Sequence, residues 1–287
     1  MTTYVQALAA LLTALVWLVP GLAPWIGPPL GQQEPQVIRR TLQWPAGARE
    51  KTLELSNITG AVRIIGEERA DVSVVATRTV TRQGAADDAG PTPDFRQQSD
   101  ALLVCGDSRR CGCHINDRGG DRWSDDRTRV RTEFEVHVPR AVTLDVCTVN
   151  GGTLHVEGTQ GPFRIANVNG DVELTGVSGS GRASTVNGDV VASLTTAPRD
   201  GSQFRTVNGR IIATLPSSLS ADLRLRTLHG GIYTDFETTP LAARPTTDRR
   251  NGRFVYRSDR SASVRVGSGG PELQFETVNG DIQVRKK

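Results

Sequence analysis

Apolar and polar residues alternate in short runs along most of the chain, a pattern typical of half-buried β-strands. The clearest run covers residues 130–138, where Val, Thr and Phe are predicted to face inward and Arg, Glu and His outward. Residues 34–80 contain similar runs, whereas residues 83–100 and 106–129 are polar and aperiodic, which predicts loops. No helical pattern of ten or more residues occurs after residue 33. This part of the chain is therefore predicted to be all-β.

A short phrase, Thr-Val-Asn-Gly-Asp-Val or a close variant, recurs in the second half of the chain. Its central glycines stand at positions 151, 170, 188, 209 and 230, in nearly equal steps, and a longer gap leads to a last copy at position 280. One divergent copy has His229-Gly230 instead of Asn-Gly. The other copies keep the pairs Asn150-Gly151, Asn169-Gly170, Asn187-Gly188, Asn208-Gly209 and Asn279-Gly280.

The phrase has the chemistry of a turn between two short strands. Asn-Gly tolerates positive φ, and the β-branched residues beside it suit a pleated, half-buried surface. Two architectures could use this unit: a single-stranded β-solenoid with rungs of about 20 residues, or an antiparallel β-sandwich in which each Asn-Gly forms a hairpin loop. The near-constant step favours the solenoid. It predicts about seven rungs over residues 148–287, about 34 Å tall, with the asparagines stacked into an amide ladder.

The interior of this repeat must be filled by small aliphatic side chains, because aromatic residues are few. Two columns are candidates, one on each side of the Asn-Gly pair. The column after the pair contains Val172, Val190, Ile211, Ile232 and Ile282. The column before it contains Val149, Val168, Val186, Val207, Leu228 and Val278. If both are buried, Val186→Asp destabilises the fold strongly, whereas Arg182→Glu on the outward face has little effect.

The repeated phrases are accompanied by Phe-Glu-Val-His-Val-Pro at residues 134–139 and by a closing run at residues 269–282. Together these motifs resemble the bacterial putative-adhesin family of β-strand-repeat envelope proteins. The resemblance covers residues 130–287 and, more weakly, residues 50–80. It implies a β-repeat fold at the cell envelope without a shared catalytic residue, and some relatives belong to envelope-stress systems. The Cys-containing insertion and the interval 231–276 depart from the family pattern.

The first 33 residues carry no charged side chain, and residues 5–19 form an apolar run with only two polar residues. A run of this length is typical of a secretory signal peptide. A membrane-spanning helix needs about 20 residues, and residues 5–26 reach that length only with prolines inside. We therefore expect residues 1–33 to be a hydrophobic helix that serves as a cleaved signal or as an anchor associated with the membrane through residues 5–26. A helix in the core of a soluble protein is the alternative.

The chain contains four cysteines, and an even number of cysteines in an exported protein predicts disulfides, here two. A bridge between Cys111 and Cys113 would be strained because one residue separates them. The favoured arrangement joins Cys105 to one of these two and the remaining one to Cys147. A metal site formed by the first three cysteines and His114 is an alternative, although its spacing differs from common zinc ligand pairs. Free thiols are the other alternative.

Charge and motifs argue against several function classes. Lys plus Arg exceed Asp plus Glu by only 34 − 31 = 3, so nucleic acid is not an expected partner. The common zinc-protease, serine-hydrolase and phosphate-loop motifs do not occur, and the four histidines are expected to be surface or turn residues. Calcium bound between stacked Asp171, Asp189 and Asp281 is disfavoured because Arg210 interrupts the column. We expect no cofactor, no resident metal and no enzymatic activity.

These predictions divide the chain into residues 1–33, a β-region at 34–147 with a polar Cys-containing insertion at about 83–129, and the repeat at 148–287. The favoured function is an exported, non-enzymatic, adhesin-like module that meets an unidentified envelope or surface partner with its outer faces. The alternative is a membrane-anchored regulatory or sensor component of an envelope-stress system. A polysaccharide-cleaving enzyme is a third hypothesis, but it needs converging carboxylates that the sequence does not reveal.

Overall fold

The fold of the described part of the chain consists of β-strands, so the all-β prediction is confirmed. Among these residues there is no helix with the length and hydrophobicity needed for a membrane span. The predicted helix at residues 1–33, with its membrane association, lies outside the described residues. The computed structural model describes residues 34–82, 90–108, 111, 113, 128–241, 248–250, 253–255 and 260–287.

The described residues form 23 strands, most of them short. Inward and outward positions alternate along them, because successive side chains of a strand point to opposite faces of the sheet. In chain order the strands are β1 (Gln36–Leu42), β2 (Thr52–Thr59), β3 (Val62–Glu67), β4 (Val72–Arg82), β5 (Asp94–Gln98), β6 (Ala101–Cys105), β7 (Thr128–Pro139), β8 (Thr143–Asn150), β9 (Leu154–Glu157), β10 (Phe163–Ala166), β11 (Val172–Val177), β12 (Gly181–Ser184), β13 (Val190–Leu194), β14 (Ser202–Arg205), β15 (Ile211–Leu215), β16 (Ala221–His229), β17 (Ile232–Thr234), β18 (Thr238–Pro240), β19 (Asp248–Arg250), β20 (Arg253–Val255), β21 (Arg260–Val266), β22 (Glu272–Asn279) and β23 (Ile282–Lys286).

The strands form two large mixed sheets and a separate hairpin of β19 and β20. Sheet A has ten strands in the order β1-β4-β7-β3-β9-β11-β13-β15-β23-β17. Sheet B has eleven in the order β18-β21-β16-β22-β14-β12-β10-β8-β2-β6-β5. Each sheet ends in two edge strands, so neither closes into a barrel. The buried residues of both sheets form one hydrophobic cluster, and the arrangement is therefore sandwich-like.

Successive strands of the repeat alternate between the two sheets. β8, β10, β12 and β14 lie in sheet B, while β9, β11, β13 and β15 lie in sheet A. Each pairs in parallel with the equivalent strand of the next repeat, so that Phe163 is opposite Gly181 and Val172 is opposite Val190. Each repeated phrase therefore forms a corner that leads from sheet B to sheet A, and we call the two strands beside one corner a layer. The predicted antiparallel hairpins are wrong for the repeat, because a hairpin joins neighbouring strands of one sheet.

The last repeat of the sequence does not lie at the end of the stack. β22 pairs with β14 on one side and with β16 on the other, and β23 pairs with β15 and β17 in the same way. Layer β22–β23 is therefore inserted between two layers that precede it in the chain. The described part of residues 148–287 contains six layers instead of about seven, because the strands between β17 and β22 form no corner: β18 and β21 extend sheet B alone, and β19 and β20 form the separate hairpin.

One segment predicted as a loop contains a strand. Within residues 83–100, β5 pairs with β6 at the edge of sheet B, and its polar, mostly exposed residues show no alternation that could have marked it. The interval 231–276, which departs from the family pattern, contains β18 and β21, which pair with each other. β8 crosses the predicted boundary at residue 147, and both sheets contain strands from either side of it. The division of the chain at that point stays a prediction.

The core column that follows the corner is buried, as the sequence predicts. Side chains from sheet B complete the interior, and the rings of Phe204 and Phe275 stack there with centroids 5.2 Å apart. Ile232, in the end layer, is half-buried. The fully buried members of the column are Val172, Val190, Ile211 and Ile282.

The column that precedes the corner is exposed, so its predicted burial is wrong. Val168, Val186 and Leu228 are 36%, 39% and 50% exposed, and Val149, Val207 and Val278 are half-buried. The alternation of each sheet B strand continues into the corner, and it places the residue before the valine inside and the valine outside. The strong destabilisation expected for Val186→Asp is therefore withdrawn.

Val190→Ala is expected to lower the free energy of unfolding by about 2 kcal/mol, because it removes two buried methyl groups and leaves a cavity. Val186→Ala, the same substitution in the same repeat, is expected to cost less, about 0.5 kcal/mol, because the side chain is already exposed to water in the folded state. Urea denaturation of both variants measures the difference. Equal losses would contradict the assignment of inward and outward positions.

Candidate functional site

The corners line up into a continuous chain of side-chain hydrogen bonds, which we call the amide ladder. The structure thus brings together all five asparagines that the repeat singles out, and His229 forms the last member. Because each side-chain oxygen accepts from the next layer, Nδ1 of His229 is the donor to Asn279. The donor–acceptor distances along the ladder are 2.7 Å from Asn169 to Asn150, 2.8 Å from Asn187 to Asn169, 2.9 Å from Asn208 to Asn187, 2.7 Å from Asn279 to Asn208 and 3.0 Å from His229 to Asn279.

The corner glycines allow successive layers to approach closely. A Cβ on Gly170 or Gly280 would overlap a glycine carbonyl oxygen of the neighbouring layer, and their φ values of 140° and 150° favour glycine. The ladder asparagines, in contrast, have no left-handed backbone, since Ser99 is the only non-glycine residue with positive φ in the described chain. The asparagines therefore serve through their side chains, not through the positive φ that a hairpin turn would require. Gly151, Gly188 and Gly209 occupy the equivalent positions of their layers.

A second set of polar side chains lies inside the corners, directly before the exposed valines. These side chains donate to glycine carbonyl oxygens of the neighbouring layer, and Nδ2 of Asn167 does so to Gly152 at 2.8 Å. A buried carbonyl without a partner would cost free energy, so these bonds hold the layers in place. We did not predict this set, although the alternation of Phe163 and Ile165 points to it. The four threonine donors are Thr185, Thr206, Thr227 and Thr277, at 2.8–2.9 Å.

The acidic residues after the corner glycines bind the backbone of the next layer. Oδ1 of Asp171 accepts from the backbone N–H of Asp189, and Oδ1 of Asp281 accepts from that of Gly231, both at 2.7 Å. Asp189 accepts from the backbone N–H of Arg210 and also binds its guanidinium, at 2.7 Å, and this hydrogen bond raises the pKa of Arg210. In the described part of the chain, no three His, Cys, Asp or Glu side chains are grouped so as to hold a metal ion.

An apolar strip runs beside the amide ladder. Of the five large hydrophobic residues that are exposed in the described structure, Val168, Val186 and Leu228 belong to the corners, and Tyr233 lies in the same end layer as Leu228. Neighbouring strands are about 4.8 Å apart, so equivalent side chains follow one another at this interval. We call the ladder and the strip together the corner face. It presents methyl groups and neutral amides in one line.

A cluster of histidines and glutamates covers part of the outer face of sheet A. Nδ1 of His137 is 2.8 Å from Oε1 of Glu67, and its Nε2 is 3.2 Å from Oε1 of Glu135. His155 lies between two carboxylates in a similar way, with Nδ1 3.2 Å from Oε2 of Glu173. The outward direction of His137 follows from its strand pattern. Its partner Glu67 lies 70 residues away, so no local pattern could have indicated the pair.

The two carboxylates favour the protonated form of His137. Partial burial opposes protonation, but the hydrogen bonds with Glu67 and Glu135 outweigh it and raise the pKa of His137. The hydrogen bond with His137 in turn lowers the pKa of Glu67. An imidazolium ring donates from both nitrogens, which matches a carboxylate oxygen at each side. The outer face of sheet A therefore carries a group whose charge changes with pH.

Two disulfides attach the polar insertion to sheet B. They join Cys105 to Cys111 and Cys113 to Cys147, which is one of the predicted arrangements. The metal site and the free thiols proposed as alternatives are wrong, since all four cysteines are bonded to each other, while His114 lies outside the described residues. Cys105 ends β6 and Cys147 belongs to β8, so the two disulfides fasten Cys111 and Cys113 to strands of sheet B.

Solved structures similar to this chain include the two described next, whereas no protein-family model and no curated protein matches it. A putative cell adhesion protein from Clostridium sporogenes ATCC 15579 has a TM-score of 0.45 and 12% identity, covering 88% of this chain and 100% of that one. A putative adhesin from Bacteroides fragilis NCTC 9343 has a TM-score of 0.33 and 8% identity, covering 88% and 97%. Both carry an adhesin name, as the family resemblance of the sequence led us to expect. These similarities are too distant to assign a function.

Asn187→Asp is expected to cost about 1 kcal/mol of stability at neutral pH, because a carboxylate cannot donate to Oδ1 of Asn169. The loss shrinks as the pH falls, since the protonated acid donates again. Asn150→Asp is the control, because Asn150 only accepts within the ladder. Denaturation at neutral and mildly acidic pH measures both variants. If the two variants lose the same stability at both pH values, the direction of the ladder is wrong.

His137→Gln is expected to change stability in a pH-dependent way. Because its folded-state pKa is raised, His137 contributes stability that is fully present below its ordinary pKa of about 6.5 and is lost as the pH rises through the folded-state pKa. The difference in Tm between the wild type and His137→Gln should therefore be largest in acidic buffer and vanish in alkaline buffer. His229→Gln, whose partner is an amide, serves as the control. A difference that stays constant with pH would argue against the role of the carboxylates.

Proposed function

We propose that this chain is an exported, non-enzymatic β-repeat protein that acts as an adhesin-like contact module at the cell surface or envelope. We further infer that residues 148–287 work as a short β-solenoid, a rigid column of parallel layers whose corners form the binding edge. The observation that carries the proposal is the corner face, where the apolar side chains of successive layers, three of them exposed and three half-buried, reach the surface in one line.

The fold does not need this apolar exposure. Threonine would suit the extended backbone of these positions as well as valine does, and it would leave less apolar area in water. Every corner of the repeat nevertheless carries Val or Leu there. Apolar side chains that are kept in line on a protein surface are typical of a contact site.

The amide ladder adds hydrogen-bonding capacity along the same line. Asn150 uses only a lone pair within the ladder, whereas each of the other four asparagines uses one N–H and one lone pair, so at least one N–H and one lone pair of each remain for a partner. A partner that lies along the corner face meets methyl groups and amides at intervals of about 4.8 Å. Such a surface supports many weak contacts spread over its length, which suits adhesion better than catalysis.

Two features support export. Disulfides persist in oxidising compartments outside the cytosol, and this chain has two of them. Residues 5–19 have the length and composition of a signal-peptide core. A location at the cell surface or outside the cell is therefore part of the proposal, with residues 1–33 either cleaved or retained.

The His–Glu cluster favours a second candidate function, a membrane-anchored sensor of envelope conditions. Histidine is the side chain whose charge changes most readily in the physiological pH range, so a partner on the outer face of sheet A would bind in a pH-dependent way. Retention of residues 1–33 in the mature protein would favour the sensor, and cleavage would favour the contact module. N-terminal sequencing of the native protein from each cell fraction distinguishes the two.

The double variant Val168→Glu, Val186→Glu is expected to bind intact bacterial cells roughly tenfold more weakly than the wild type, because it places charges in the apolar strip. Thr175→Glu with Ser193→Glu is the matched control, since it adds the same charge to the outer face of sheet A. Both variants should keep the wild-type Tm because all four positions face outward. The proposal fails if the wild type does not bind cells, or if the two variants bind equally.

A further inference from the structure

The last repeat lies in a slot between two layers that precede it in the chain. β22 and β23 pair in register with β14 and β15 on one side and with β16 and β17 on the other. Phe275 stacks on Phe204, and Oγ1 of Thr277 donates to the carbonyl oxygen of Gly209 at 2.9 Å. The slot is therefore specific for the side chains of this repeat.

The slot can close when the last repeat leaves it. The chain from Gly209 to Gly230 is as long as the chain from Gly188 to Gly209, which joins two layers in direct contact, yet β22–β23 separates the layers of Gly209 and Gly230. The connection between β15 and β16 is thus long enough for direct stacking. Ile211 and Ile232, which both pair with the inserted strand, would then face each other. When the last repeat leaves the slot, the two sheets therefore do not have to keep unpaired strand edges, and this lowers the free-energy cost of opening the slot.

A glycine-rich connection carries the last repeat. Gly267, Gly269 and Gly270, together with Ser268, lie between β21 and β22, and all three glycines have positive φ. Segments of Gly and Ser behave as flexible linkers. β22–β23 can therefore move as a unit while β21 stays paired with β16.

We propose that the slot also accepts the last repeat of a second copy of this chain, so that two copies exchange residues 272–286. The partner is a second copy because this repeat supplies the phenylalanine, threonine and asparagine side chains that the slot contacts. Reciprocal exchange forms the same contacts twice and gives a closed two-fold dimer, whereas one-way exchange continued from copy to copy gives an open chain of molecules. The proposal concerns self-association and does not depend on the proposed surface partner.

Two single-cysteine variants of the full chain test the exchange. Gln203 on β14 and Gln274 on β22 are opposite each other, with their side-chain amides 3.4 Å apart. The Gln203→Cys and Gln274→Cys proteins are mixed, unfolded without reductant, refolded together and treated with a short thiol cross-linker. A cross-linked heterodimer then requires that the slot of one copy holds the last repeat of the other.

The control mixture is Gln203→Cys with Gln283→Cys. It places the second thiol on the same repeat but in sheet A, where residue 283 is opposite Ile212 and Tyr233. We expect on the order of tenfold more heterodimer from Gln203→Cys mixed with Gln274→Cys than from the control mixture, because the two opposite thiols react at a high effective concentration. The yield should rise with protein concentration. A yield equal to that of the control at every concentration overturns the proposal.

A variant of the connection gives an independent test. The Cβ of a residue replacing Gly269 would lie 2.5 Å from Nε of Arg265, at a φ of 82° that side chains rarely adopt. Gly269→Val therefore strains the closed turn and favours an extended linker, a change that promotes exchange. We expect its dimer fraction in size-exclusion chromatography to rise severalfold over the wild type. A folded Gly269→Val protein that stays monomeric at all concentrations contradicts the proposal.

Discussion

Backbone hydrogen bonds between successive corners hold the layers in a single register. The N–H of Gly170 donates to the carbonyl oxygen of Asn187, and the N–H of Asn187 donates to that of Val168, both at 2.8 Å. The same exchange recurs in the next layers, and the glycines leave no room for a side chain between them. A slip of one residue would turn the valines inward and the threonines outward. The core columns, the amide ladder and the exposed strip all depend on this register.

The repeat and the amide ladder could be predicted from the sequence, but we did not predict that the valines before the corners point outward. When strands pair in register at a constant step, equivalent residues must stack, so the alignment of Asn150, Asn169 and Asn187 follows from spacing alone. We assigned the β-branched valines to the interior by their residue type. The alternation begun by Phe163 and Ile165 is stronger evidence, because the backbone stays extended into the corner. Position within a strand therefore decides burial here, and hydrophobicity does not.

Contacts between distant parts of the chain could not be predicted at all. The chain from Gly188 to Gly209 is as long as the chain from Gly209 to Gly230. Only the structure reveals that another layer lies between the layers of Gly209 and Gly230. Glu67, one partner of His137, likewise comes from a neighbouring strand of a sheet whose order no sequence pattern fixes, whereas Glu135 lies on the same strand as His137. The disulfide pairing could be predicted in part. The closeness of Cys111 and Cys113 in the sequence excluded a bridge between them, and the choice between the other two pairings stayed open.

The divergent copy of the repeat is suited to the end of the stack, and this accounts for the order of the last two layers. An internal layer has a neighbour on each side: Asn279 donates to Asn208 and accepts from His229, while the carboxylate of Asp281 accepts from the backbone N–H of Gly231. In the described chain no further corner lies beyond the end layer, where β16 pairs instead with the antiparallel β21, so His229 has only to donate to Asn279 and position 231 needs no carboxylate. A complete copy at the end would leave its carboxylate and amide groups without these partners, and terminal repeats of stacked proteins usually differ for this reason. The complete copy therefore belongs inside the stack even though it follows the divergent copy in the chain.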